Sequence, residues 1–166
     1  MNDLFFKIEE MGFSTYLRES GSLLAFPLFL YLHTLAMSIV AGATAVICIA
    51  LLGAWPKRAP LSPLQKLYPI VWFGFILSAI TGVSIFMKDA STYGNNPDFY
   101  IKLVLVFVGV GLLVVIRKQV LRNPQVDTGS VPGQGKILAW ATLLCWFGAT
   151  VTGRLIAYLN PIPGGF

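Results

Sequence analysis

From Ser22 to Gly53 the chain reads SLLAFPLFLYLHTLAMSIVAGATAVICIALLG, 32 residues without an Asp, Glu, Lys or Arg. A hydrocarbon core about 30 Å thick needs about 20 apolar residues of helix. The run therefore crosses a bilayer with length to spare. It carries one imidazole, His33, the only histidine in the protein.

Three further apolar runs follow, which places spans at about 22–53, 64–87, 99–117 and 136–159. Before them, Leu4, Phe5, Ile8 and Met11 fall on one helical face among charges, predicting an amphipathic interfacial helix over 3–20. The expected fold is all-α: a single membrane domain over 1–166, an integral four-helix bundle with that helix at its edge. Only 11% of residues are charged, against roughly 25% in soluble domains. A soluble chain this small could not hide so much apolar surface. The net charge of +5 is spread in short basic runs between spans, so it marks loops against an anionic membrane surface and not a nucleic-acid partner.

The start, MNDLFFKIEEMGFSTYLRES, has no basic n-region and no uninterrupted apolar core, so the first span is expected to serve as an uncleaved targeting signal. The loops after spans one and three hold seven basic residues and one acid, Asp127. The other side holds five basic residues and six acids. The positive-inside rule then puts both termini in the periplasm, with the chain in a bacterial cytoplasmic (inner) membrane. The stretch RNPQVDTGSVPGQGK is expected to be a mobile linker, and the ending NPIPGGF cannot continue a helix. Cys48 and Cys145 lie inside spans with no CxxC and no second histidine, so they are expected to be buried, inert thiols.

Small residues predict where helices approach one another. Gly42 thins the first span, Gly74, Ser78 and Gly82 recur every four residues in the second, and Gly148 and Thr152 lie in the fourth.

Ionisable groups inside spans are expensive and mark candidate sites. With the orientation above, His33 falls in the outer half of span one, Lys102 opens span three and Arg154 lies near the exit of span four. All three are candidate cofactor-binding residues. A b-type haem would use His33 as axial ligand and Arg154 and Lys102 on its propionates, although Met37 on the same helix cannot reach the opposite ring face. Copper, with His33 as metal ligand beside Met37, is a second chemistry. A quinone near the outer interface is a third, drawing also on Tyr31, Thr34, Thr150 and Tyr158. A purely structural reading has His33 bonding across the bundle, and Arg154 snorkelling or pairing with Asp89 or Asp98. Phosphate-loop, dinucleotide and hydrolase motifs are absent, so no catalytic residue is assigned.

The phrases STYLRES, FPLFLYLHTLAMSIVAGATAV, ITGVSIFMKDASTYGNNPDFYIKLVLV and LCWFGATVTGRLIAYL together resemble a bacterial family of small four-span membrane proteins of unknown function. The resemblance covers most of residues 14–160 and implies the four-span fold. It singles out His33, Lys102 and Arg154 and implies no activity. The family's frequent Asp-Leu-Arg-Leu-Leu-Gly ending to span one reads CIALLG here, without the acid and the base. The Leu-His early in a span is also loosely similar to copper-resistance and cytochrome b561-like bundles. The functional expectation is a non-catalytic accessory subunit of a larger membrane complex, with respiratory and redox complexes as candidates, packed against other subunits or a second copy. The alternative is an electron carrier holding haem b.

Overall fold

The structure is a computed structural model; it describes residues 2–22, 24–56, 59–123, 126 and 131–159, without the side chains of 2, 3 and 157–159. The expectations for Lys57, Arg58, Asp127, Tyr158, the middle of the linker (124, 125 and 127–130) and the chain ending fall outside these residues or side chains.

Two short helices open the chain, α1 (Asn2–Glu9) and α2 (Gly12–Glu19). The single helix expected over 3–20 is broken because Met11 is extended, with φ −61° and ψ 139°. The Ser14 hydroxyl donates to the Ile8 carbonyl at 2.7 Å and stitches the break.

Next comes α3 (Phe26–Ile49), with Pro27 in its first turn, where a missing N–H costs least. A π-helical turn, Ala50–Ala54, extends it to Gly53, whose φ of 110° only glycine adopts without strain. A 3-10 turn over Ser62–Leu67 leads into α4 (Tyr68–Lys88), and the short α5 (Ala90–Gly94) follows. The entry to α6 (Pro97–Val115) is capped: the Asn96 side chain accepts from the Asp98 N–H at 2.9 Å, and Asp98 complements the helix dipole. A π turn at Ile116–Leu121 ends that rod, and α7 (Gly133–Leu159) completes the bundle.

Among the described residues, four helical segments are long and apolar enough to cross a membrane: Phe26–Ala54, Ser62–Lys88, Pro97–Leu121 and Gly133–Ile156. Their outward faces are apolar, as lipid requires; Phe73, Phe107 and Phe147 are each at least 63% exposed. The chain is a small, all-α, multi-pass membrane protein.

The bundle is two antiparallel hairpins. α3 packs on α4, α6 packs on α7, and the hairpins meet mainly through α3 and α7. Gly74 lets α3 and α4 close, since a Cβ there would meet Val40 Cγ2 at 2.9 Å and the Ala36 carbonyl at 3.1 Å. Gly148 does the same under Leu105, where a Cβ would meet Cδ1 at 3.0 Å. Gly42 departs from its expected packing role. It is exposed, and a Cβ there would meet no described atom within 4 Å, so no described helix packs on it.

α4 and α6 face each other with little backbone contact. Away from the termini the space between them is filled. The Tyr68 hydroxyl donates to the Leu113 carbonyl at 2.9 Å, the Arg117 guanidinium sits 5.0 Å from the Tyr68 ring centre, and Gln65 Nε2 donates to the Leu121 carbonyl at 2.8 Å. Cys48 is buried in this part of the core with Ile116, Val120 and Leu121, while Cys145 is only partly buried. At the terminal end the same gap is left open.

Candidate functional site

The open gap is a cavity of about 460 Å³ walled by α3, α4, α6 and α7, with Tyr93 of α5 at its rim. Drug-sized and cofactor sites run about 300–1,000 Å³, so the space suits one small molecule. The lining is largely apolar and aromatic (Met37, Phe75, Phe86, Phe99, Phe107), and its ionisable groups are His33, Tyr93 and Lys102.

His33 reaches the wall from α3. Its Nδ1 lies 3.0 Å from the Ser78 carbonyl and 3.1 Å from Thr81 Oγ1. A carbonyl only accepts, so Nδ1 carries the proton. The Thr81 hydroxyl donates its own proton back to the Leu77 carbonyl at 2.8 Å, which leaves its oxygen free to accept. The neutral ring therefore presents Nε2 as an acceptor or ligand, and no described residue hydrogen-bonds that atom. Gly82 makes room for the ring: a Cβ there would stand 3.1 Å from His33 Cε1. Two small residues of the α4 stripe thus seat the imidazole, Ser78 by its carbonyl and Gly82 by its missing side chain.

Lys102 enters from α6. Its stem runs along α7 at Gly153, where a Cβ would lie 3.5 Å from Nζ. Lys102 is partly buried, lines the cavity, and forms no ion pair or hydrogen bond with any described residue. Asp89 is engaged elsewhere: its Oδ2 lies 3.1 Å from Lys88 Nζ. That contact is Coulombic, since no donor is aligned on the buried Oδ2. Lys88 in turn sits 4.0 Å above the Phe26 ring.

The remaining sequence candidates lie elsewhere. Arg154 is exposed and does not line the cavity, and no ion pair joins it to Asp89 or Asp98. Thr152 bonds within its own helix, to the Gly148 carbonyl at 2.9 Å. Tyr31, Thr34 and Thr150 point away from the cavity; both threonine hydroxyls are spent on carbonyls one turn back. His33 and Met37 share a wall, but no three His, Cys, Asp or Glu side chains converge among the described residues, and a lysine beside the pair disfavours a second cation.

The aromatic end of the cavity was not found from the sequence. Phe86 and Phe99 stack at 5.3 Å across the tops of α4 and α6, and Tyr93 joins Phe99 at 5.9 Å. Burial and the neighbouring Asp89 raise the Tyr93 phenol above its usual range, so it stays neutral and able to donate. The signal available was the density of aromatics between Phe86 and Tyr100, but their spacing does not say that they converge.

No curated protein and no solved structure matches the chain. A family model does, over residues 5–159, so it covers α1 through α7 and every group described above. The chain belongs to this family, DUF6644, a family of unknown function.

Proposed function

We propose that the protein is a ligand-binding membrane subunit, whose terminal-end cavity holds one small amphipathic molecule by an oxygen-bearing acidic or carbonyl head. The observation that carries this reading is Lys102, a cation without a described partner in a largely apolar cavity. Such a charge is costly to keep in a membrane span unless something compensates it. An acidic or carbonyl oxygen supplies the missing partner. His33 Nε2 accepts a hydrogen bond from a hydroxyl on the same head, and the aromatic walls take the apolar body. The apolar outer faces leave room for further subunits, so the protein acts as a ligand-carrying accessory component of a larger membrane assembly.

Haem b is a second reading, favoured by one observation. A histidine whose Nδ1–H is held by a backbone carbonyl is oriented and polarised as axial ligands are. Lys102 would take a propionate. Arg154, exposed and off the cavity wall, is not part of this donor set.

The test is a visible spectrum of the purified protein, oxidised and then dithionite-reduced, with organic extraction of the same sample and of His33→Ala. A Soret band lost in His33→Ala identifies haem. A colourless protein that releases a stoichiometric acid or quinone-type amphiphile supports the broader reading without haem. A colourless protein that releases only bulk lipid, in wild type and variant alike, overturns both.

A further inference from the structure

The cavity has two boundaries, and they are built differently. Toward the termini it is roofed by Phe86, Phe99 and Tyr93, and a second layer lies over that roof. The Phe5 ring of α1 meets Phe86 edge-on at 6.2 Å and covers Gly94, where a Cβ would come within 2.5 Å of the ring. The layer is latched: Glu9 Oε1 of α1 accepts from the Ser91 N–H at 2.7 Å and from the Ser91 hydroxyl at 2.6 Å. Hydrogen bonds to a carboxylate are the strong kind. α2 is anchored beside it by Leu17 and Ser14, which are fully or almost fully buried. The side boundary has no such layer. α4 and α6 both line the cavity yet make little contact with each other, and Val83 and Phe107 at that seam are 59% and 65% exposed on the face the bundle turns to lipid.

We infer that the cavity is loaded sideways from the bilayer, through the seam between α4 and α6, while α1, α2 and α5 form a latched cap that shuts it from water. The ligand is then a membrane-dissolved amphiphile, not a water-borne anion. It slides in with its apolar body along the seam and its acidic or carbonyl head toward Lys102. This inference rests on the cavity being a ligand site, and it adds the source of the ligand and the route.

The test needs no knowledge of the ligand. Val106 lines the cavity. Val106→Cys in a background with Cys48 and Cys145 replaced by alanine is reconstituted in vesicles after exhaustive delipidation. It is then treated with either a maleimide carrying an alkyl chain or a charged, membrane-impermeant methanethiosulfonate supplied on both faces. The expected result is labelling by the alkyl maleimide and near-silence from the charged reagent. Releasing the latch with Glu9→Gln and Ser91→Ala raises the charged reagent's rate roughly tenfold or more, because the bond from the Ser91 hydroxyl is lost and the bond from its N–H no longer has a carboxylate to accept it, and leaves the alkyl maleimide rate unchanged. Rapid labelling by the charged reagent with the cap intact overturns the inference, as does a rate indifferent to the latch. Leu103→Cys on the same wall repeats the measurement if Val106→Cys does not fold. Failure here with a Lys102-dependent ligand still found would mean a water-borne ligand. Success here with no ligand found would leave the route standing and sink the function.

Discussion

Away from the termini, Ile116, Val120, Leu121 and Val126 are at most 3% exposed, and Tyr68 closes the space between α4 and α6 with a hydrogen bond to the opposite backbone. At the terminal end the same two helices stand apart around a cavity of about 460 Å³ that holds His33 and Lys102. One end spends its side chains on filling; the other keeps space and places polar groups in it. A close-packed interior is the default in proteins, and a polar group left without a partner in a membrane is a cost. A region that departs from both is where function is to be sought.

The comparison predicts that substitutions at the two ends separate stability from binding. The largest loss of stability belongs to the packed end: Ile116→Ala or Leu121→Ala should cost about 2–5 kcal/mol, read as a lower midpoint in detergent unfolding, with ligand affinity per folded molecule unchanged. Gly74→Val overpacks the α3–α4 contact against Val40 and the Ala36 carbonyl and should cost about 1–3 kcal/mol in the same assay. Tyr68→Phe removes only the bond to Leu113 and should cost about 0.5–1.5 kcal/mol.

At the open end the signs change. Gly82→Ala presses on the His33 ring at 3.1 Å. It should change stability by less than about 1 kcal/mol while weakening ligand binding, measured by retention of the extracted ligand. Lys102→Met should leave the ligand-free protein as stable as wild type or more so, because it removes a partly buried charge without a described partner, and should abolish binding. A Lys102→Met protein that unfolds outright would break the comparison, because it would make the lysine part of the packing.

The four spans were legible because apolar runs bounded by charge and proline leave a chain no other fold in lipid. His33 and Lys102 stood out for the complementary reason, as ionisable groups where few are tolerated. The stripe of Gly74, Ser78 and Gly82 was readable as a helix contact. That Ser78 and Gly82 also seat an imidazole was not, because this depends on the rotation of α3 against α4. The cavity itself left no mark on the sequence. It arises from α4 and α6 failing to meet, and a lipid-facing residue and a cavity-facing one obey the same apolar rule. Arg154 reads from the sequence as a second cofactor-binding cation beside Lys102, yet the helix phase of α7 puts Gly153 on the cavity and Arg154 outside it. The break after Glu9 was likewise invisible, since the apolar face continues through Met11.

The most direct test of the central claim is native mass spectrometry of wild type and Lys102→Met, purified in parallel from the same membranes in nanodiscs. One small-molecule adduct per chain is expected on wild type and none on a folded Lys102→Met. Bare chains in both, or the same adduct on both, would contradict that claim.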